Sequence, residues 1–347
     1  MSKPPGIIAR RRPPTIRDVA RLAKVSIGTA SKALNHSGKL RPETRARVIA
    51  HAKKLGFRPN DLALSLHRGH SLTVGVITTD SFGRFTMPIV EGLEACLADQ
   101  RISVFLSNAT DDREREARHV ESLLGKRVDG IVVTARRADR RPALQVPERI
   151  PVLYVFSQTN DPDALCLLPD DEGGARLATE HLIALGRRRI AHVTGPEHFD
   201  AVRLRRDGYR AALKAARIAE PPGSLLAGSW SEAWGREALD SLFAQRRGAP
   251  DGIFCGNDLI ARGVMDGLRE RGIAVPNKVA VVGFDNWEII ANATRPPLTS
   301  VDMNLKELGR EAGRRLLELI AGARLHGVRR LPCTLIVRES SGAGRLE

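Results

Sequence analysis

The sequence predicts an all-α helix-turn-helix head, joined by a hinge helix to a two-lobed α/β domain with two doubly wound parallel sheets. Three observations predict this architecture. The 347 residues are about twice the usual length of one domain, so at least two folded units are expected. Short helix patterns and most of the excess positive charge lie in the first fifth of the chain. From residue 72 onward, strand-like and helix-like segments alternate, as they do where helices cover parallel sheets.

The positive charge is concentrated near the N-terminus. The formal net charge is +15, and residues 1–70 contain 16 Lys and Arg against only three acidic residues. This concentration favours a domain that binds a polyanion, because Lys and Arg contacts to phosphate dominate nucleic-acid affinity. Residues 1–14 predict a disordered basic arm, in which prolines flank Arg10, Arg11 and Arg12.

Three short helices are predicted after the arm. The first begins at a capping-box pattern formed by Thr15 and Asp18, and Ser26 is the predicted N-cap of the second. The third begins near Pro42 and ends at Gly56. The first two are expected at about 16–23 and 27–34. Two short helices joined by a tight turn predict a helix-turn-helix, and the surrounding charge is typical of a compact DNA-binding head.

A short hinge segment follows the head. Pro59 and Asn60 signal a helix start, but the apolar run ends near Leu66. Isolated helices shorter than about 12 to 15 residues are marginal in water. We therefore expect this segment to fold only against a partner.

The remainder of the chain predicts two lobes. Strands are expected at 73–79, 102–107, 129–134 and 151–155, and then at 189–193, 251–255 and 278–283. Helices are expected between them at 86–98, 112–125, 172–185, 203–218, 231–246 and 257–271. Ligands bind such sheets beyond the carboxyl ends of their strands, so a cleft between the lobes is the expected binding site.

Two groups of motifs connect the chain to a known family. The head reads TIRDVARLAKVSIGTASKALN from Thr15, and later segments read EHLIALGRRRIA from Glu180, GNDLIARG from Gly256, VVGFDN from Val281 and PPLTSV from Pro296. From about residue 15 to 340, the sequence resembles the LacI/GalR family of bacterial transcription regulators. The resemblance implies a repressor that binds a palindromic DNA operator as a homodimer. It also implies a lobed domain of the periplasmic-binding-protein type and a small sugar-like effector in its cleft.

The resemblance places the second helix of the head in the major groove of DNA. Ile27 and Gly28 match base-reading positions and Lys32 a further contact, while Thr29 and Ser31 match phosphate or groove contacts. The remaining residues of the implied DNA-binding set are Thr15, Ser26, Asn35, Asn60, Ala63 and Leu66. Gly28 has no side chain to read a base, and Lys32 is a point charge where the family more often has a bidentate Arg. The base preference at these positions is therefore open.

The hinge of the family becomes helical on operator binding and wedges a leucine into the minor groove. Leu66 matches that leucine, with Ala63 one turn earlier and Asn60 near the start. Packing of Leu62 and Leu66 on the lobes is the alternative.

The resemblance also implies an effector pocket built from both lobes. Arg205 aligns with an arginine that grips the ligand, and Asn257 and Asp285 align with residues that bond to sugar hydroxyls. Trp230 falls where some sugar-responsive members place a stacking aromatic residue. Packing between the lobes is the alternative role for this tryptophan.

Three further residues complete the implied pocket. Asp80 and Arg84 follow the first strand and would line the opposite lobe, with Asp170 as a supporting residue. The run Gly83–Phe85 departs from the family pattern, which leaves the identity of the ligand open. Arg84 could alternatively be a surface charge.

The implied domains are a basic arm, a head, a hinge, a domain for effector binding and dimerisation, and a tail, at 1–14, 15–58, 59–71, 72–340 and 341–347. The first lobe is expected at about 72–165 plus 298–325. The second lobe is expected at about 166–294 plus 328–340.

Other function classes lack their motifs. No GxxxxGK, GxGxxG, GxSxG or HExxH run occurs, so we expect neither an enzyme nor a cofactor. The four cysteines form no CxxC pair, which argues against a metal site and for free thiols in a reducing cytoplasm. No apolar run reaches the ~18 residues of a membrane span, and the N-terminal segment lacks the apolar core of a signal peptide. An activator, a purine-responsive regulator and a solute-binding protein remain as alternatives, although the basic head argues against the last.

Overall fold

The computed structural model describes residues 14–35, 37–57, 71–244 and 248–342. The chain divides into two compact units, with the boundary between Ser71 and Leu72. The hinge residues Asn60, Ala63 and Leu66 lie outside the described residues, as do the basic arm up to residue 13 and the tail from residue 343.

The head consists of the three predicted helices, α1 (Ile16–Leu22), α2 (Ile27–Leu34) and α3 (Pro42–Leu55). Side-chain caps fix where they begin: Thr15 Oγ1 donates to Asp18 Oδ2 at 2.7 Å, and Ser26 Oγ accepts from the backbone N–H of Thr29 at 3.1 Å. Helix α3 ends at Gly56, whose φ of 65° is left-handed. A small core of Val19, Ala20, Ala23, Ala30, Ala33, Val48 and Ala52 holds the helices together.

The second unit contains fourteen strands and eight α-helices within the described residues. The strands are β1 (Thr73–Thr78), β2 (Ser103–Asn108), β3 (Gly130–Thr134), β4 (Arg140–Arg141), β5 (Val152–Val155), β6 (Gln158–Thr159), β7 (Leu165–Pro169), β8 (Ile190–Thr194), β9 (Leu225–Ala227), β10 (Gly252–Cys255), β11 (Ala280–Phe284), β12 (Thr299–Asp302), β13 (Gly327–Leu331) and β14 (Thr334–Ile336). The helices are α4 (Thr86–Leu97), α5 (Arg113–Gly125), α6 (Asp171–Ala184), α7 (Asp200–Ala215), α8 (Glu232–Phe243), α9 (Asp258–Glu270), α10 (Glu288–Ala291) and α11 (Leu305–Ile320). Short 3₁₀ turns cover Ala98–Gln100 and Glu339–Ser341.

These strands form two six-stranded sheets and one small ribbon. The first-lobe sheet has the order β13-β7-β5-β3-β1-β2, and all of its strand pairs are parallel. The second-lobe sheet has the order β14-β12-β11-β10-β8-β9, and only the pair of β12 with β14 is antiparallel. The ribbon pairs β4 with β6. The predicted two doubly wound lobes are confirmed, and their central strands are buried on both faces.

The predicted lobe boundaries were wrong at three places. Strand β7, expected in the second lobe, pairs with β5 in the first, where Leu153 lies beside Leu165. Strand β12, expected in the first lobe, pairs with β11 in the second. Strand β13, expected in the second lobe, forms an edge of the first-lobe sheet. A short strand's sequence shows that it is apolar, but its lobe is decided by pairing with residues far away in the chain.

Glycines allow two helix pairs to pack backbone against backbone. A Cβ at Gly92 of α4 would lie 1.9 Å from the Lys306 carbonyl oxygen, and a Cβ at Gly309 of α11 would lie 2.0 Å from that of Ile89. Helices α8 and α9 make the same kind of contact, because a Cβ at Gly263 would lie 2.0 Å from the Glu232 carbonyl oxygen. The close approach of α4 and α11 ties a late segment of the chain to the first lobe.

No helix within the described ranges of the chain is long and apolar enough to cross a membrane.

We predict that Gly309→Ala destabilises the lobed unit by about 1 to 3 kcal/mol, because the added methyl group must push the backbones of α4 and α11 apart. Gly125→Ala is the matched control, since it also lies in a helix but nothing would meet its Cβ within 4 Å. Urea unfolding followed by circular dichroism measures both variants. Equal stability of the two variants would contradict this packing.

Candidate functional site

The second helix of the head, α2, presents a face of both apolar and polar residues to solvent. The side chain of Ile27 is 48% exposed, and Gly28 and Lys32 are also exposed, whereas Ala30 is fully buried. Ile27 therefore does not belong to the core of the head, which leaves its side chain free for contact with DNA. An exposed isoleucine at the first turn of a basic helix is suited to apolar contact with a base edge.

The other predicted residues of the head have local hydrogen-bond partners. Ser26 Oγ lies 2.9 Å from Thr29 Oγ1, and Asn35 Nδ2 donates to Ser31 Oγ at 3.3 Å. These bonds order the hydroxyl groups on and around α2. DNA contacts from these residues remain a prediction.

The lobed unit contains a second candidate site, centred on Arg205 of α7. This side chain is only 5% exposed. Its Nε donates to Asp171 Oδ1 at 2.7 Å, and its Nη1 donates to the carbonyl oxygen of Gly256. The guanidinium carbon lies 3.7 Å from the ring centroid of Phe284. Burial and these fixed partners hold the guanidinium in one orientation.

Asp285 follows β11 and lies between two arginines. Its Oδ1 is 3.7 Å from Arg205 Nη1, and its Oδ2 accepts a hydrogen bond from Arg84 Nη2. The φ of Asp285 is 102°, a strained value for a residue with a side chain. The strained backbone and both arginines constrain this carboxylate.

Arg84 connects the two lobes. It follows β1 of the first lobe, pairs with Asp285 of the second, and is 16% exposed, so it is not a free surface charge. Its guanidinium carbon lies 4.8 Å from the ring centroid of Phe85 and 4.4 Å from that of Trp287. A planar cation thus fills a slot between two aromatic rings at the cleft.

Trp230 also faces Arg205. Its indole packs on Gly195, where a Cβ would lie 2.2 Å from the indole Cε2 atom. The Arg205 guanidinium carbon is 5.9 Å from its ring, and the ring centroid of Phe199 is 6.4 Å away. The structure therefore brings together Arg84, Arg205, Trp230 and Asp285, as the sequence predicted.

The other three predicted pocket residues cap helices and turns. Asp80 Oδ2 accepts from the backbone N–H groups of Phe85 and Thr86 at 2.8 and 3.0 Å. Asp170 Oδ1 caps α6 through Gly173 N–H, and Asn257 Oδ1 caps α9 through Ile260 N–H. Sharp chain turns at the strand ends are held by these bonds. In this structure Asp80, Asp170 and Asn257 position the cleft, and any contact of theirs with a ligand remains a prediction.

Sequence reasoning missed two carboxylates, Asp171 and Asp258. Each directly follows a predicted residue, at the first position of α6 and of α9 respectively. Asp258 accepts hydrogen bonds from Ser300 Oγ at 2.5 Å and from the backbone N–H of Trp287 at 2.6 Å. Paired polar residues at a strand-to-helix junction are the signal that could have revealed both.

Burial changes the acidity of these carboxyl groups. It raises the pKa of Asp258 to about 7, an effect that the nearby Asp285 carboxylate increases. Burial also raises the pKa of Asp171, although the Arg205 guanidinium opposes this shift. The cleft therefore holds three close carboxyl groups and two guanidinium groups, so its net charge depends on pH.

The arrangement is suited to binding a polar ligand. Carboxylate and guanidinium groups can bond to neighbouring hydroxyls, and an indole can cover the apolar face of a sugar ring. Among the residues that the structure describes, no group of three or more His, Cys, Asp or Glu side chains is placed to hold a metal ion.

Comparison with known proteins agrees with both parts of the chain. The family of bacterial regulatory proteins named lacI matches residues 15–60, and the periplasmic binding protein-like domain matches residues 179–341. The ribose operon repressor of Escherichia coli (strain K12) is 33% identical over 95% of this chain and 99% of its own length. The HTH-type transcriptional repressor PurR of Haemophilus influenzae (strain PittEE) is 31% identical over 88% of this chain and 91% of its own length.

Solved structures support the same relationship. The lac repressor dimer bound to operator and the anti-inducer ONPF matches with a TM-score of 0.77 and 28% identity, covering 95% of this chain and 99% of that one. The complex of the transcriptional regulator CelR with cellobiose matches with a TM-score of 0.64 and 30% identity, covering 94% and 99%.

A helix-turn-helix head followed by a two-lobed α/β domain with a polar cleft defines a ligand-responsive DNA-binding protein. The chain belongs to the LacI family of bacterial regulatory proteins. It is a DNA-binding transcriptional regulator of that family.

We predict that Asp258 makes the stability of the lobed unit depend on pH. Its pKa rises from 3.8 to about 7 on folding, so between these values the native state binds a proton that the unfolded state does not. Its contribution to the free energy of unfolding is therefore fully present below pH 3.8 and decreases as pH rises, by at most about 1.4 kcal/mol per pH unit, until it is lost above about pH 7.

Urea unfolding between pH 5 and 8 tests this contribution. Asp258→Asn should remove this decrease with rising pH, whereas Asp163→Asn, on an exposed loop of the first lobe, should keep the parent's profile. A parent-like profile in Asp258→Asn would disprove the role of this carboxyl group.

Proposed function

We propose that the protein is a repressor that binds a palindromic operator as a homodimer, with an affinity that a small sugar-like ligand in the interlobe cleft controls. The observation that carries the proposal is the cluster of Arg84, Arg205, Trp230 and Asp285, which joins the strand ends of both lobes. The lac repressor relative was solved as a dimer on its operator, which supports the same assembly here.

The cluster explains how a ligand can act. Arg84 of the first lobe pairs with Asp285 of the second, so a ligand that bonds to Asp285 competes with this contact between the lobes. A ligand shifts a conformational equilibrium only as far as it distinguishes the two states. A ligand that takes the place of Arg84 at Asp285 binds only the state in which this contact between the lobes is broken, and so distinguishes the two states. The free energy that couples two binding sites in this way is typically about 1 to 3 kcal/mol.

A sugar fits the second-lobe side of the cleft. Asp285 and Arg205 offer an acceptor and a donor within 3.7 Å of each other, and the Trp230 ring lies 5.9 Å from the same guanidinium. The relatives include the ribose operon repressor and the CelR–cellobiose complex. We therefore propose a ligand with vicinal hydroxyls, which bond to Asp285 and Arg205 while its apolar face covers the Trp230 ring.

A purine is the second candidate. Phe85 and Trp287 flank the planar guanidinium of Arg84 at 4.8 and 4.4 Å, and the ring of Phe156 lies 4.9 Å from that of Phe85. A flat base that displaced Arg84 would find aromatic partners there. The PurR relatives add weight to this alternative.

The proposal assigns no enzymatic activity and a cytoplasmic location. The relatives that support it are transcriptional regulators. All four cysteines are free thiols, of which Cys166, Cys255 and Cys333 are buried, as suits a reducing compartment.

We predict that operator affinity falls steeply with salt. If a dimer neutralises about 6 to 10 phosphates, log affinity should fall linearly with log salt with a slope of about −5 to −9. Lys32→Gln should reduce the magnitude of this slope by about one per subunit. Lys278→Gln, which removes an exposed lysine of the lobed unit, should leave the slope unchanged. Fluorescence anisotropy on a selected operator measures these slopes, and a slope near zero would refute operator binding by the head.

We predict that the cleft variants Asp285→Asn and Arg205→Lys lose the ligand response but still bind the operator without ligand. Lysine is chosen at position 205 because it keeps a positive charge beside the buried carboxylate of Asp171. Leaving that carboxylate unpaired would cost about 3 to 5 kcal/mol and endanger folding. Exposed Glu288 provides the matched control, Glu288→Gln.

A panel of sugars and purines, added while operator anisotropy and tryptophan fluorescence are followed, measures the response. Sugars that release the parent from the operator would favour the first ligand class, and purines the second. Undiminished ligand affinity in both cleft variants would show that the ligand binds elsewhere.

A further inference from the structure

A second pocket lies at the carboxyl edge of the first-lobe sheet. Its volume is about 190 Å³, and its lining includes Thr79 after β1, Ser157 after β5, and the arginines 136, 137, 140 and 141 around the ribbon strand β4. The pairing of β4 with β6 holds Arg140 beside Gln158, the residue that follows Ser157. Polar groups from several chain segments therefore converge on one concave surface.

Some of the lining charges are already neutralised. Arg141 Nη2 donates to both carboxylate oxygens of Glu116, at 2.5 and 2.6 Å. Arg137 Nε donates to Asp139 Oδ2 at 3.2 Å. Asp112 caps α5 by accepting from two backbone N–H groups at 2.9 and 3.1 Å. Three of the four lining carboxylates are thus engaged, and the fourth is Asp111.

Strong donors remain unused in the pocket. The guanidinium groups of Arg113, Arg136 and Arg140 form no hydrogen bond or ion pair within the described part of the chain, and all three side chains are exposed. The hydroxyl of Ser157 is fully buried and has no partner among the described residues. Buried polar groups normally have partners, so an unpaired hydroxyl and three unpaired guanidinium groups that line one pocket indicate a place for a ligand that accepts hydrogen bonds.

Two lining residues of the pocket, Arg137 and Asp139, contact the second lobe at the start of α7, the helix that carries Arg205. The Arg137 guanidinium carbon lies 4.9 Å from the ring centroid of Phe199, and that ring lies 6.4 Å from Trp230. Asp139 Oδ1 accepts from the backbone N–H of Asp200 at 3.3 Å. A chain of ring contacts through Phe199 and Trp230 therefore links the lining of the pocket to Arg205.

We infer that the ligand of the cleft carries an anionic group, a phosphate or a carboxylate, which the Arg136 and Arg140 guanidinium groups and the Ser157 hydroxyl hold. The inference rests on the proposed function and narrows its ligand class to acidic sugar derivatives. Guanidinium groups bind both anions with paired hydrogen bonds, so the two share one recognition chemistry.

Isothermal titration of the full chain with matched ligands tests the inference. The probes are ribose and ribose 5-phosphate, glucose, glucose 6-phosphate and gluconate, and inorganic phosphate alone. At least one acidic derivative should bind at least about tenfold more tightly than its neutral parent, as expected for two or three charge-assisted hydrogen bonds. The double variant Arg136→Gln/Arg140→Gln should reduce that preference several-fold, and Ser157→Ala should reduce it to a smaller extent.

Arg149→Gln is the matched control for the double variant. Arg149 is also an exposed first-lobe arginine, but it precedes β5 and so lies at the opposite edge of the sheet. The basic head contributes to phosphate binding equally in all variants, so the difference between them reports the pocket. Phosphorus-31 line broadening detects millimolar phosphate binding, which the double variant should lose in part and Arg149→Gln should keep.

The outcomes separate this inference from the proposed function. Neutral sugars that bind as tightly as their acidic derivatives, no binding of any acidic probe at millimolar concentration, or an unchanged preference in the double variant would each overturn the anionic pocket. Those results would still be compatible with operator binding and with release of the protein from the operator by neutral sugars. Failure of the parent chain to bind any operator would refute the proposed function, whatever the titrations show.

Discussion

The lobed unit depends on one buried guanidinium group. Arg205 is enclosed by Asp171, the Gly256 carbonyl oxygen and the Phe284 ring, and each of these comes from a different part of the second lobe. Taking an arginine out of water costs several kcal/mol unless charges and hydrogen bonds replace its hydration. The chain segments that supply those groups must therefore be correctly placed before the arginine can be buried. As a result, the second lobe cannot fold around Arg205 without also forming this side of the cleft.

The same constraint distinguishes the two arginines of the cleft. Arg205 is satisfied within its own lobe, but Asp285 also takes a partner, Arg84, from the other lobe. Removing one partner of a buried ion pair leaves an uncompensated charge, so a ligand that replaced Arg84 would have to bond to the Asp285 carboxylate itself. Under the proposed function, Arg205 would keep the cleft in shape while the ligand replaced Arg84 at Asp285.

Much of the fold was predictable, because local patterns determine it. The caps at Thr15 and Ser26 fixed the head, and apolar runs located most of the central strands. Strand β13 was not identified because it is an edge strand with polar residues, and β7 was assigned to the wrong lobe because its partner lies outside the local sequence. Asp170 caps a helix, whereas the adjacent Asp171 binds Arg205, because the two side chains point in different directions. The positions of these residues in the sequence do not reveal those directions. The pairing of Arg84 with Asp285, 201 residues apart, depends on tertiary structure alone.

The chain passes between the two sheets three times, after β7, after β12 and between β13 and β14. Arg205 is close to two of these passages: Asp171 directly follows the first, and Met303, whose Sδ lies 3.9 Å from Arg205 Nη2, follows the second. At the third passage, Cys333 Sγ donates to the carbonyl oxygen of Asp170 at 3.4 Å. These contacts place the three connections close together, with Arg205 beside them. Any rotation of one lobe against the other must bend the chain at these three connections, next to the arginine.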